Sequence, residues 1–125
     1  MQKMTCLYID DDPGIQQVVA LNLEADGINV LLSPTGIGVE SLAERTRPDV
    51  ILLDVMMPGR DGYQVLTGLK ARASTRHIPV VLLTAKASDA EIWQGWQAGA
   101  DYYLTKPFSA DQLADYLKLI HRQAS

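Results

Sequence analysis

Short apolar runs alternate with longer amphipathic stretches along this chain. Five runs read as strands: "TCLYI", "INVLL", "DVILLD", "PVVLLT" and "DYYLT". Three of them, "TCLYI", "DVILLD" and "PVVLLT", are apolar almost throughout, as strands covered on both faces are. Between the runs, apolar residues return at helical spacing. Ile15, Val18, Val19, Leu21 and Leu23 mark a first helix, with Asp12 as N-cap, Pro13 at the first helical position and Gly27 where a left-handed residue ends it. A second helix is predicted near Ile37 to Arg45, a third after Gly62 with Val65, Leu66 and Leu69, and a fourth over Asp89 to Ala98. The fifth follows a capping box, Ser109-x-x-Gln112, and turns Leu113, Tyr116, Leu117 and Ile120 inward. On the fourth helix Trp93 and Trp96 are three apart and share a face. Both are expected to fill core positions. The alternative is that one is partly exposed and anchors a partner, with Ile92 the more exposed apolar residue on the other flank.

Strict alternation of strand and helix with short connections implies an α/β fold, a parallel sheet between two layers of helices joined by right-handed crossovers. Five strands in this pattern suggest the doubly wound order 2-1-3-4-5, with the switch point between strands 1 and 3. No repeat, low-complexity tract or linker interrupts the 125 residues, so residues 1–125 are read as one domain. Eleven basic and 15 acidic residues leave a net charge of −4, which argues against a nucleic-acid surface. The single cysteine, Cys6, excludes an internal disulfide, and its apolar setting predicts an inert core residue. No run approaches the ~18 apolar residues of a membrane span, and "MQKMTC" lacks the apolar segment of a secretion signal, so a cytoplasmic domain without membrane contact is expected.

In doubly wound sheets the functional crevice lies beyond the carboxyl ends of the strands. Strand 1 ends in Asp10-Asp11, strand 3 in Asp54, strand 4 in Thr84 and strand 5 in Lys106. Strands 1 and 3 are neighbours in the inferred order, so Asp10, Asp11 and Asp54 converge. With Lys106 they leave a formal charge of −2, which a divalent cation would neutralise. Hard carboxylate oxygens suit Mg²⁺ or Mn²⁺; Zn²⁺ would call for His or Cys. His77 and His121 fall in a loop and near the C-terminus, away from the acids. Taken singly, each of these residues has an ordinary structural explanation, and Asp12 is best explained as a helix cap. Their coincidence at four strand ends points to function.

The motifs "YIDDDPGI", "DVILLDVMMPGRDGYQVL", "VVLLTAKA" and "AGADYYLTKPF" resemble those of the receiver domain of two-component response regulators, in order and over nearly the whole chain. The resemblance implies a flavodoxin-like fold with Asp54 as phosphoacceptor. The donor would be a phosphohistidine on a sensor histidine kinase or a histidine phosphotransfer protein. It further implies that Asp10, Asp11, Asp54 and the backbone carbonyl of Met56 hold Mg²⁺. Lys106 would pair with the acceptor and then with the phosphoryl oxygens, and a cis Lys106–Pro107 peptide is expected. Thr84 and an inward-turning Tyr103 would form the switch, and the fourth helix, fifth strand and fifth helix the output surface for a partner or output domain. Such a protein modifies itself and is a signalling phosphoacceptor, not a turnover enzyme.

Two features depart from the family's common pattern. Met56 is apolar where many receivers carry a polar group, and Lys86 stands two beyond Thr84; both flank the route of a hydrolytic water, so a long-lived phosphorylated form is expected. Tyr102 replaces an acid that pairs across the dimer in the winged-helix branch, and "YLKLIHRQAS" lacks that branch's arginines, which puts such dimers in question. Ile120 is followed by only five residues, which fits a free-standing receiver or a piece of a longer regulator. Other readings are weaker. A Mg²⁺-dependent aspartyl phosphatase would use Asp10-x-Asp12, but Pro13-Gly14 follows where a Thr or Val belongs. A flavodoxin-like redox carrier needs a hydroxyl- and glycine-rich phosphate loop, and three acids stand there. A receiver-like module that is never phosphorylated would not need the full set of acceptor, acids and lysine.

Overall fold

The elements follow the hydrophobic pattern closely. In a computed structural model, which describes residues 4–57, 59–84, 88–106 and 108–124, the chain runs β1 (Thr5–Ile9), α1 (Pro13–Ala25), β2 (Asn29–Ser33), α2 (Val39–Thr46), β3 (Val50–Asp54), α3 (Gly62–Ala71), β4 (Val80–Thr84), α4 (Asp89–Ala98), β5 (Tyr102–Thr105) and α5 (Ala110–Ala124). The strands form one parallel sheet in the order β2-β1-β3-β4-β5. The three nearly all-apolar runs are the interior strands β1, β3 and β4, and the more mixed runs lie at the two edges.

Strand alternation splits the core in two. Leu7, Ile9, Ile51, Leu53, Val80 and Leu82 face α2 and α3, which contribute Val39, Ala43, Val65, Leu66 and Leu69. Cys6, Tyr8, Leu52, Val81 and Leu83 face the other way, towards Val19 and Leu23 of α1 and Leu113, Leu117 and Ile120 of α5. Each fully buried Leu, Ile or Val contributes roughly 1.5–3 kcal/mol. Cys6 lies in the second layer, where burial pushes its thiol pKa up and keeps it unreactive. No helix among the described residues is long and apolar enough to cross a membrane.

The predicted caps are in place. Asp12 accepts from the amides of Gly14 (3.0 Å) and Ile15 (3.1 Å), and Ser109 and Gln112 exchange side-chain-to-amide bonds of 3.0 and 3.1 Å. Two expectations need correction, for α2 and for α4, and the face that α1 buries is a further finding. On α1 the buried stripe is Gln16, Val19, Ala20 and Leu23, a true i, i+3, i+4, i+7 set, while Ile15, Val18 and Leu21 are exposed. A polar residue holds a core position there because Gln16 Nε2 donates to the carbonyls of Tyr8 (3.2 Å) and Ser33 (2.9 Å). Helix α2 starts two residues later than predicted, because Gly38 takes a left-handed φ of 78° and leaves Ile37 outside, exposed. On α4 neither tryptophan is a core residue: Trp93 is 65% and Trp96 47% exposed, while Ile92 is the better covered of the three. The inner side of this helix is small, with Gly95 buried against Tyr103, so its large apolar groups point outward.

Candidate functional site

The register of β1 on β3 pairs Ile9 with Leu53, so Asp10, the next residue, comes opposite Asp54 at the carboxyl edge. Period-2 alternation aims both side chains to the same side as Tyr8 and Leu52. Asp10 is 1% and Asp54 5% exposed, while Asp11 is open to solvent. One oxygen from each of the three carboxylates lies within 4.8 Å of the others. Lys106, just past β5, brings Nζ to 3.4 Å from Asp54 Oδ1 and 3.8 Å from Asp10 Oδ2. Its backbone amide donates to the carbonyl of Thr84 (2.8 Å), which ties the end of β5 to that of β4.

Local structure fixes these groups. Asp10 accepts from the Tyr8 hydroxyl at Oδ2 (2.8 Å) and from the Asp12 amide at Oδ1 (3.0 Å). Asp54 Oδ1 accepts from the Met56 amide at 3.4 Å. Helix α3 begins directly under the end of β3: a Cβ on Gly62 would lie 2.6 Å from the Asp54 carbonyl oxygen, so only glycine permits this approach. Burial, then the charge of Asp10, raise the pKa of Asp54 from 3.8 to about 6; Lys106 and the Met56 amide pull the other way. Three carboxylates against one ammonium, two of them nearly out of water, is an arrangement short of positive charge. Oxygen donors within one ion's reach and open on the Asp11 side fit a hard, partly hydrated divalent cation.

Asp10, Asp11, Asp54, Thr84 and Lys106 lie at or just past the strand ends, and Tyr103 lies within β5. Thr84 is buried at the end of β4. By alternation it shares a face of the sheet with Tyr103, which is half-buried and donates from Oη to the Glu91 carbonyl (2.8 Å). Tyr63 Oη also reaches that carbonyl, at 3.2 Å, and lies 3.4 Å from Tyr103 Oη. The Met56 side chain is 66% exposed beside the pocket. Lys86 and the Lys106–Pro107 peptide fall outside the described residues. Asp12, the second acid of the phosphatase-like spacing, is engaged in capping α1. His121 approaches Asp49 at 4.0 Å and His77 lines a groove with Asp49 and Pro79, so neither belongs to the acid cluster.

Two contributors escaped the sequence reading. The Tyr8 phenol was foreseeable, since residues two apart on a strand share a face. The other is Arg60, which binds Glu40 through Nη2 (2.6 Å) and the Gly36 carbonyl through Nη1 (3.1 Å), pinning the loop after β3 to the start of α2. Hydrogen bonding to Arg60 holds the Glu40 carboxyl below its usual range. No local pattern announces a pair twenty residues apart.

Fold and pocket together define a class: a doubly wound α/β domain with three acids and a lysine at its switch point. The chain belongs to the response regulator receiver domain family, whose sequence model matches residues 6–118. It is therefore a receiver domain of two-component signalling. It is 40% identical over 117 residues to the DNA-binding dual master transcriptional regulator RpaA of Synechocystis, covering 94% of this chain and 48% of that protein. The chain spans about half the length of the curated relatives it matches. Among solved structures, the Francisella response regulator 1452 receiver domain superposes with a TM-score of 0.90 at 32% identity, covering 98% of this chain and 100% of that one. The receiver domain of sensor histidine kinase PA1611 from Pseudomonas aeruginosa, solved with a magnesium ion coordinated in its active site cleft, gives 0.88 at 33% identity, covering 97% and 99%.

Proposed function

We propose that Asp54 is the phosphoacceptor of this receiver and that Asp10, Asp11, Asp54 and the Met56 carbonyl hold Mg²⁺, or Mn²⁺, beside it. The observation that carries this reading is the buried Asp54 carboxylate, sharing one ion's reach with Asp10 and Asp11 and lying 3.4 Å from the Lys106 ammonium. With a pKa of about 6, Asp54 is mostly ionised at neutral pH, and the carboxylate is the nucleophile. Its oxygen attacks phosphorus in line. The O–P bond forms as the N–P bond of a donor phosphohistidine breaks, and the bonding pair leaves with the imidazole nitrogen. Bound Mg²⁺ would supply charge neutralisation for the phosphoryl oxygens. Lys106, freed from its carboxylate partner, takes another of those oxygens. No substrate is turned over, so the chemistry is self-modification.

The phosphoryl group brings close to two negative charges and strong acceptors. The Thr84 hydroxyl moves towards them, and Tyr103, on the same face of the sheet, follows into the space it leaves. The surface of α4, β5 and α5 then changes its affinity for a partner protein or output domain, through a coupling of about 1–3 kcal/mol. Donors are a sensor histidine kinase or a histidine phosphotransfer protein. The domain works in the cytoplasm without touching nucleic acid itself. The exposed tryptophans of α4 fit the output face, since aromatic side chains are enriched at interface hot spots.

Intact-protein mass spectrometry after acetyl phosphate and Mg²⁺ tests the reading. Wild type gains one phosphoryl group, which alkali removes and chelation of the metal prevents; Asp54→Ala gains none. An adduct persisting in Asp54→Ala would overturn the assignment.

A further inference from the structure

Among the described residues at the pocket, the Tyr8 hydroxyl is a polar group that the proposed chemistry does not use. Tyr8 is fully buried in the apolar layer beneath α1 and α5. A phenylalanine would fill that layer as well, and a hydroxyl carried into it costs free energy unless it donates a hydrogen bond. It donates to Asp10 Oδ2, two residues along the same strand face, at 2.8 Å. The second oxygen of Asp10 takes the Asp12 amide at 3.0 Å, so the carboxylate is gripped at both ends. Of its roughly four acceptor sites, about two remain, and one of its oxygens lies within 4.8 Å of oxygens of Asp11 and Asp54.

We infer that Tyr8 is a positioning residue for the cation: its phenol holds the Asp10 carboxylate in the orientation that the divalent ion, or a water on that ion, requires. This rests on the reading of the acid pocket as a cation site. Charge explains why a phenol does this job. A second ammonium or guanidinium would orient Asp10 equally well but would cancel the negative charge that attracts the ion. A neutral donor fixes direction and leaves the charge in place. Lys106 Nζ lies 3.8 Å from the same Oδ2 that Tyr8 holds, too far for a hydrogen bond. Without the phenol, Asp10 Oδ2 can draw in to Lys106, and the long ion pair between them tightens into a hydrogen bond that occupies the oxygen the cation needs. Hydrogen-bond partners of metal-ligating carboxylates are worth about 10–100-fold in metal affinity.

The test is Mg²⁺ titration of the metal-free full chain by calorimetry, at neutral pH and constant ionic strength, for wild type and Tyr8→Phe. The urea midpoint of each metal-free protein is measured alongside. Expected is a dissociation constant about tenfold weaker in Tyr8→Phe at a temperature where both are folded. A merely structural hydroxyl would lower the urea midpoint and leave Mg²⁺ affinity alone. Equal or tighter binding by Tyr8→Phe overturns the inference while the cation site stands. Failure of wild type to bind Mg²⁺ at all removes the cation site itself, and the inference with it. Should Tyr8→Phe not fold, carbon-13-labelled tyrosine in wild type decides. The ring carbon bearing the Tyr8 hydroxyl then shifts on adding Mg²⁺ while that of Tyr116 stays put; an unmoved Tyr8 signal overturns the inference.

Discussion

At Asp54, burial and the neighbouring Asp10 raise the carboxyl pKa from 3.8 to about 6, so in the metal-free protein the native state binds this proton more tightly than the unfolded chain does. Stability from this group therefore rises as pH falls from neutrality through about 6, and its full penalty is felt above that. Asp54→Asn removes the charge at constant shape. In chelator, this variant should melt higher than wild type at neutral pH, by roughly 3–6 °C for each ~1 kcal/mol relieved, and the gap should close as pH approaches about 4. Glu40 has the opposite sign. Its pKa is lowered by Arg60, so its contribution is lost only as pH falls below the usual carboxylate range. Identical thermal midpoints for Asp54→Asn and wild type at neutral pH would contradict the electrostatic penalty assigned to Asp54. Two residues on, Met56 offers an exposed thioether that neither donates a proton nor holds a water firmly. The phosphorylated protein should accordingly be long-lived, and Met56→Asn should hasten loss of the phosphoryl group by on the order of tenfold. Loss within seconds from purified wild type in saturating Mg²⁺ would count against this.

Among the elements, α4 depends on a single small residue, Gly95. A Cβ on Gly95 would fall 2.1 Å from the Tyr103 hydroxyl oxygen, so helix and ring occupy the same notch. The Tyr103 ring also meets Trp96 edge-on, with centroids 5.9 Å apart. Gly95→Ala should expel the ring from its bond to the Glu91 carbonyl, destabilise the protein by about 1–3 kcal/mol and change Trp96 emission. Unchanged fluorescence and stability would show that the ring is not seated there. The same packing explains why the tryptophans misled the sequence reading: residue type indicates what could be buried, but the space on this face of the sheet is already filled by Tyr103. Ile15, Val18 and Leu21 on α1 repeat the lesson, because the sheet below wanted the Gln16 amide for two carbonyls. Helix starts were readable where a side chain caps, as at Asp12 and Ser109, and less so at Gly38, where backbone conformation decides.

For the whole molecule, the strand order and the convergence of Asp10, Asp11, Asp54, Thr84 and Lys106 at one edge were legible, because alternating strands and helices leave few topologies and each site residue ends a strand. What stayed hidden depends on contacts between distant segments. Arg60 with Glu40 braces the loop after β3, and Asp101 joins the Lys70 ammonium (2.7 Å) to the Val80 amide (2.9 Å). The second lies where β4 and β5 begin, at the edge of the sheet opposite the acids, and neither leaves a trace in periodicity. The account depends on the edge of the sheet concentrating negative charge so that one carboxylate becomes a cation-dependent acceptor. Borohydride reduction of the phosphorylated protein, followed by peptide mass spectrometry, tests this directly, since an acyl phosphate is reduced to an alcohol. Homoserine is expected at position 54, formed only when phosphodonor and Mg²⁺ were both present. Homoserine at position 10 or 11, or at position 54 without any metal, would contradict it.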